Sequence, residues 1–141
     1  MICGAMLGVN VRICSPKGFE ADSNILYKAK SLSEFGSEIL ICNDPSEAVK
    51  GAQVIYTDVW ASMGQEEEYL NRKEIFEKYR VDMKLIDLAN EGAIILHCLP
   101  AHRGEEITEE ALESKNSYVF DQAENRLHVQ QALLAVQLGG L

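Results

Sequence analysis

Cys98 lies in the stretch LHCLPAH, with a histidine on either side of it and Pro100 two positions on. A zinc site here would use His97, Cys98, His102 and a fourth ligand such as His128. Pro100 excludes a helix that would bring Cys98 and His102 to one face, and no second ligand pair exists, so zinc is disfavoured.

Three other roles for the Cys98 thiol remain open after zinc is set aside. A nucleophilic thiol needs a histidine within hydrogen-bond distance. His97 is adjacent on a strand and would point to the opposite side, which leaves His102 or His128 as the weaker candidates. A thiol that positions a ligand and a small buried packing residue are the other two roles.

A second group of polar residues follows a predicted strand in TDVWASMG, residues 57–64. Asp58, Ser62 and a glycine at a strand end could bind a small cationic ligand, because ligand sites combine a few polar groups on strand-end loops. The same residues also fit an ordinary turn anchored by Trp60. The residues alone do not decide between the two.

A third group, Glu124-Asn125-Arg126, lies near the start of the last predicted helix. A guanidinium close to a helix N-terminus suits an anion, because its fork of donors and the helix dipole act together. Arg126 fits a solvated surface cation equally well.

Short β-branched runs alternate with amphipathic segments along the chain, and this alternation positions the three groups. Strands are predicted at 8–15, 38–42, 52–57, 93–97 and 118–120, and helices at 23–35, 45–49, 66–79, 83–90 and 122–138. Parallel neighbours need crossover connections, so the order predicts an α/β fold with a doubly wound, mostly parallel sheet and helices on both faces. Ligands bind beyond the carboxyl ends of such strands, which are Ser15, Thr57 and His97 here.

Composition narrows the function further. The 141 residues fit one domain, and their formal net charge of −9 argues against nucleic acid or an anionic membrane as partner. No apolar run reaches membrane-spanning length, no CxxC pair occurs, and no cationic leader opens the chain, which favours a cytoplasmic protein. Dinucleotide and P-loop motifs are absent, so no cofactor is predicted. The acidic pair Glu105-Glu106 is typical of a solvated face or a first helical turn.

The segments DVWASMG, HCLPAHRG and FDQAENRLHVQQALL together resemble the ornithine-binding half of an ornithine carbamoyltransferase, in the same order and spacing. HCLP is the family's motif, and the SMG loop points to ornithine rather than another amine. The resemblance covers essentially the whole chain. It implies a Rossmann-like domain over residues 1–141 that transfers a carbamoyl group from carbamoyl phosphate to ornithine, giving citrulline, as in arginine biosynthesis or the arginine deiminase pathway.

The resemblance also implies roles for individual residues. Asp58, Ser62 and Met63 would hold ornithine, and Cys98 and Leu99 would contact the carbamoyl group and the attacking δ-amine. Arg126 would bind the carbamoyl or phosphate oxygens. His97 would support the motif. Catalytic roles fall to Cys98, Arg126 and Asp58, and no metal is implied.

Two features of the family are missing from this sequence. The family's preceding carbamoyl phosphate domain is absent, and so is the first strand of the ornithine domain, which would be central in the sheet. We therefore expect an N-terminally incomplete domain that is inactive alone and that self-associates or pairs with a complementary domain. The alternative is a non-catalytic remnant that binds an amino acid or acts as an interaction module.

Overall fold

The computed structural model describes residues 1–61 and 66–139, and the side chains of all of these except 66–70. The chain divides into two compact units, Met1–Lys50 and Gly51–Leu141. The strands are β1 Val11–Cys14, β2 Ile39–Cys42, β3 Val54–Thr57 and β4 Ile94–His97. The helices are α1 Ile2–Met6, α2 Ser23–Ser31, α3 Pro45–Val49, α4 Glu66–Phe76, α5 Met83–Ile86, α6 Glu109–Leu112 and α7 Val119–Gln137, with a 3-10 turn at Glu77–Tyr79.

The first unit is built on the parallel pair of β1 and β2, in register from Val11 with Ile39 to Cys14 with Cys42. Asp22 caps α2, because its side chain accepts hydrogen bonds from two backbone N–H groups of the first turn. Asp44 caps α3 in the same way.

The second unit is built on the parallel pair of β3 and β4, in register from Val54 with Ile94 to Thr57 with His97. Alternate residues of these strands point to opposite faces. One face is buried and carries Ile55, Ile95 and His97. The residues on the other face of the two strands are more exposed to solvent.

The outer edge of β4 is covered by a short segment of chain. The Ile95 N–H donates to Asn116 O at 2.8 Å, and the Tyr118 N–H donates to Ile95 O at 2.9 Å. Within residues 1–61 and 66–139, no strand pairs with the outer edge of β3.

The predicted α/β class with parallel strands is confirmed, and the strands form one two-stranded sheet in each unit. The predicted strand at 118–120 is wrong, because only Ser117 bridges to β4 before α7 begins at Val119. The helix predicted at 83–90 ends at Ile86, and the one-turn helix α6 was not predicted. No helix of the described residues is long and apolar enough to cross a membrane.

Replacing Ile95 by alanine tests the packing of the second unit. Ile95 is fully buried in β4, so the substitution removes packed methyl groups and should lower the free energy of unfolding by about 2–5 kcal/mol. Val54→Ala is the control, since Val54 is 48% exposed in β3 and should cost about 1 kcal/mol or less. Urea unfolding followed by circular dichroism measures both. Equal losses would contradict a core centred on Ile95.

Candidate functional site

Asp58 and Cys98 meet where β3 and β4 end. Thr57 pairs with His97 in the parallel register, so the next residue of each strand falls side by side. The Cys98 thiol donates to Asp58 Oδ1 at 3.0 Å. The Val59 N–H donates to the same oxygen at 2.7 Å and orients the carboxylate. The structure thus brings together two of the three residues predicted to be catalytic.

The Cys98 thiol is kept protonated by its surroundings. Burial raises the pKa of Cys98, and the hydrogen bond to Asp58 and the negative charge of that carboxylate raise it further. The neighbouring Tyr56 hydroxyl lowers the pKa of Cys98 by a smaller amount. A protonated thiol is a donor that can orient a ligand, whereas a thiolate would be needed for nucleophilic attack.

His97 faces a buried carboxylate. Its Nδ1 accepts the Leu99 N–H at 2.8 Å, so the proton of the neutral ring is on Nε2. Nε2 then donates to Glu106 Oε1 at 3.1 Å, and both side chains are fully buried. Since both ring nitrogens have partners, His97 is not the base of a His97–Cys98 dyad.

The same two bonds bear on metal binding. Donor atoms of Asp58, His97 and Cys98 lie within 4.8 Å of one another. A metal ion would have to break the bond of His97 to Leu99 or to Glu106 before the ring offered it a lone pair. His97 is therefore committed to structure rather than to a metal ion.

Glu106 corrects the sequence interpretation of the acidic pair. Glu105 is partly exposed and pairs with Lys73 at 3.0 Å, but Glu106 is fully buried rather than on a solvated face. The chain reverses after His102, and the His102 N–H donates to Glu106 Oε1 at 2.6 Å. Donors from His97 and His102 compensate the burial of Oε1, whereas Oε2 is buried and has no hydrogen-bond partner among the described residues.

Leu99 turns the chain directly after Cys98. Its φ of 55° lies in the left-handed region, which costs a non-glycine residue about 1–2 kcal/mol. The bond from its N–H to His97 Nδ1 holds this conformation. His97 therefore supports the backbone beside Cys98. Its supporting role in a substrate site stays a prediction.

Trp60 anchors the segment that follows Asp58. It is 9% exposed, and its ring lies 6.2 Å from that of Phe76 at the end of α4. The anchoring role considered for Trp60 fits this packing. Ser62 and Met63, which were predicted to hold ornithine, lie outside the described residues.

Arg126 is exposed on α7 and has no hydrogen bond or ion pair with another residue of the described ranges. It lies one turn after Gln122, and residues four apart share a helix face. Gln122 reaches the strand ends: its Oε1 accepts the His97 N–H at 3.0 Å, and its Nε2 donates to the Tyr56 hydroxyl at 3.1 Å. The structure thus places Arg126 on the same face of α7 as Gln122, which contacts the strand ends. Arg126 itself does not contact Cys98.

Three residues of this site were missed by the sequence analysis: Tyr56, Glu106 and Gln122. Two of them had a usable pattern. Tyr56 is two residues before Asp58 on one strand, and Gln122 is four residues before Arg126 on one helix, so each shares a face with a predicted site residue. Glu106 had no such pattern, because its burial depends on the fold of the loop.

Residues 1–137 match the family described as Aspartate/ornithine carbamoyltransferase, Asp/Orn binding domain. The chain belongs to this family, as its three motifs predicted. Similar proteins carry the name ornithine carbamoyltransferase: one from Prochlorococcus marinus is 64% identical over 141 residues, which are all of this chain and 44% of that protein. That of Trichormus variabilis is 55% identical over 139 residues, 99% of this chain and 45% of that protein.

Solved structures agree with this assignment. The ornithine carbamoyltransferase from Pyrococcus furiosus is 47% identical, with a TM-score of 0.91 over 98% of this chain and 44% of that one. The anabolic ornithine carbamoyltransferase from Campylobacter jejuni is 38% identical, with a TM-score of 0.89 over 98% of this chain and 46% of that one. The chain spans less than half the length of these relatives.

Removing the Glu106 carboxylate tests the buried hydrogen bonds. Glu106→Ala leaves the His97 Nε2–H and the His102 N–H without an acceptor inside the protein, so we expect a loss of about 2–4 kcal/mol in the free energy of unfolding. Glu110→Ala, at an exposed position of α6, is the matched control and should change stability by about 0.5 kcal/mol or less. Thermal or urea unfolding measures both, and a Glu106→Ala chain as stable as the control would refute the compensating role.

Neutralising Asp58 tests the electrostatics of Cys98. Asp58→Asn removes a negative charge that raises the pKa of Cys98, so more thiolate should form at neutral pH and iodoacetamide should modify Cys98 faster. Peptide mass spectrometry follows the modification, with the exposed Cys3 as reference in the same sample. A slower reaction of Cys98 in Asp58→Asn would contradict the assigned contact.

Proposed function

We propose that this chain provides the ornithine half-site of a carbamoyltransferase that converts L-ornithine and carbamoyl phosphate to L-citrulline and phosphate. The observation that carries the proposal is the hydrogen bond of 3.0 Å between Cys98 Sγ and Asp58 Oδ1 at the carboxyl ends of two parallel strands. It joins the DVW and HCLP motifs in a member of the aspartate/ornithine carbamoyltransferase family.

The chemistry of an amine substrate fits these two groups. Asp58 is exposed, and its carboxylate is a partner for a protonated amine. In the reaction the δ-amine nitrogen attacks the carbamoyl carbon, the bond from that carbon to the phosphate oxygen breaks, and the nitrogen gives up its proton. A carboxylate joined to a thiol can orient this amine and receive the proton.

The remaining roles follow the family pattern. Ser62 and Met63 would hold ornithine, and Leu99 would contact the carbamoyl group beside Cys98. Arg126 would stabilise the oxyanion that forms during the attack, because its guanidinium presents several donors to developing negative charge. Its exposure and its lack of a partner among the described residues leave it available for an anion.

A complementary domain or a second chain would complete the site. Carbamoyl phosphate needs more cationic groups than Arg126 alone can offer. Helix α7 exposes apolar side chains along its length, an arrangement common at protein interfaces. These residues are Leu127, Val129, Leu133, Leu134 and Val136.

We place the protein in the cytoplasm, which agrees with the thiol state of Cys3, Cys42 and Cys98.

Calorimetry and a citrulline assay test the proposal together. The chain alone should make no citrulline. It should make citrulline when the part of a relative that this chain does not cover is supplied. Ornithine should bind the complemented protein in the presence of carbamoyl phosphate.

Cys98→Ala should weaken ornithine binding of the complemented protein by about tenfold, the effect of losing one interaction of about 1.4 kcal/mol. Cys3→Ala, an exposed cysteine in the other unit, is the matched control and should bind normally. Failure of the parent chain to bind ornithine with or without the added part would favour the alternative, a non-catalytic interaction module. Turnover by the chain alone at the rate of a complete relative would refute the need for a complement.

A further inference from the structure

Cys14 and Cys42 are the last residues of β1 and β2, and they face each other across the sheet of the first unit. Cys14 is the register partner of Cys42. The backbone bond that follows the pair agrees with this register, because the Ser15 N–H donates to Cys42 O at 3.2 Å. Side chains of facing residues in parallel strands project from the same side of the sheet. The two thiols therefore stand next to each other on one face.

The Cys42 thiol leans toward the neighbouring strand. It donates weakly to Ile13 O, on β1, at 3.7 Å. Ile13 directly precedes Cys14, so the sulfur of Cys42 lies beside the residue that leads into the other thiol. Both cysteines are partly buried, which leaves them accessible to a small ion in a site shielded from bulk water.

The pair occupies the end of a parallel sheet at which ligands bind in folds of this class. The strand end at Ser15 was predicted as one such place, and the proposed ornithine site uses the ends of β3 and β4 instead. The buried core of the first unit lies on the opposite face of its sheet, around Ile39, Ala5 and Ala29. Filling that core is therefore not the role of the two thiols.

The spacing of the strands decides what two facing thiols bind best. Adjacent strands lie about 4.7–4.9 Å apart, whereas a disulfide needs Cβ atoms about 3.5–4.5 Å apart. Two metal–thiolate bonds of about 2.3 Å, placed end to end, span about 4.6 Å. The pair thus suits a metal ion held in a line between two sulfurs better than a direct sulfur–sulfur bond.

The surroundings of the pair select the kind of ion. Among the described residues, the groups of three or more His, Cys, Asp and Glu side chains that lie close enough to share a metal ion include neither Cys14 nor Cys42. Zinc is therefore disfavoured, because it takes four ligands. Cu(I) is a soft ion that prefers thiolates, and it accepts two ligands in a line.

Arg12 offsets the charge that the thiolates add. It lies two residues before Cys14 and thus on the same face of β1. Its guanidinium is held in place by Ala48 O, at 3.0 Å, and by Lys50 O. One Cu(I) ion with two thiolates carries a single negative charge, and a fixed cation on the same face stabilises it.

We propose that Cys14 and Cys42 form a binding site for one Cu(I) ion, held in a line between their sulfurs. Two thiols and one Cu(I) form two Cu–S bonds and release two protons, and no electron is transferred. The site lies within Met1–Lys50 and is independent of the proposed carbamoyl transfer.

Competition with the chromophoric chelator bicinchoninate, in the absence of oxygen, measures Cu(I) binding to the 141-residue chain. Cys3→Ser/Cys98→Ser is the background chain, in which only the facing pair of cysteines remains. It should bind one Cu(I) per chain. Adding Cys14→Ser or Cys42→Ser should weaken binding by at least about 100-fold, the upper end of what losing a residue that merely supports a metal ligand costs.

Cys14→Ser/Cys98→Ser is the matched control, because it keeps two thiols, Cys3 and Cys42, that do not face each other. Cys3 lies on α1, and Ala5 of that helix packs with Ile39 on the opposite face of the sheet. The control should bind Cu(I) as weakly as the chains with one thiol. Binding by the control as tight as that of the background chain would overturn the inference.

X-ray absorption at the copper edge provides a second readout on the background chain loaded with Cu(I). Two sulfur ligands and no nitrogen or oxygen ligand are expected. A third ligand, or one ion shared by two chains, contradicts the proposed site, and so does unchanged affinity after Cys14→Ser or Cys42→Ser. Should the serine variants lose their thermal unfolding transition, the absorption spectrum and the stoichiometry decide.

Discussion

The bond between His97 Nε2 and Glu106 Oε1 is the interaction on which the site depends. A carboxylate is costly to bury, and it is tolerated only where donors replace the water that it loses. The imidazole supplies one such donor, and this commitment fixes the ring's tautomer. The lone pair on Nδ1 is thereby free to accept the Leu99 N–H. The need of the buried Glu106 carboxylate for a donor thus fixes the His97 ring, and the ring in turn fixes the backbone conformation of Leu99 beside Cys98.

Successive residues at the end of β4 point to opposite faces, so the residue that supports the site and the residue that can contact a ligand lie on different sides. His97 points into the interior, where water is excluded and a buried carboxylate can hold it rigidly. Cys98, the next residue, points to the other side and donates a hydrogen bond to Asp58, which is exposed. One strand end therefore carries a rigid support on one face and ligand-accessible groups on the other. Sites built on rigid elements hold their groups more precisely than sites on loops.

Local patterns were sufficient for much of the fold. Strands β2, β3 and β4 end at the predicted residues and begin one or two residues later than predicted. The helix predicted at 23–35 begins at Ser23 as α2, where the local signal of a capping side chain, Asp22, lies within one turn. A strand was predicted at 118–120 because aromatic and β-branched residues favour extended structure, but α7 begins at Val119.

The candidate site was predictable only in part. Asp58 and Cys98 could be grouped because strand ends gather in parallel sheets. Glu106 could not be predicted, since its burial requires the chain reversal after His102. The orientation of the Gln122 side-chain amide could not be predicted either, because it is set by the contact of its oxygen with the His97 backbone N–H.

The outer edge of β3, which no strand of the described residues covers, affects how the chain associates with other copies. Its residues, Val, Ile, Tyr and Thr, carry no charge and favour extended structure, and within the described residues no strand covers their outer hydrogen-bonding groups. Such an edge is a template for any other strand that reaches it. Long-range repulsion from a net charge of −9 slows the approach of further copies but is screened by salt at short distance. Pairing of this edge with strands of other copies should therefore become easier as the salt concentration rises.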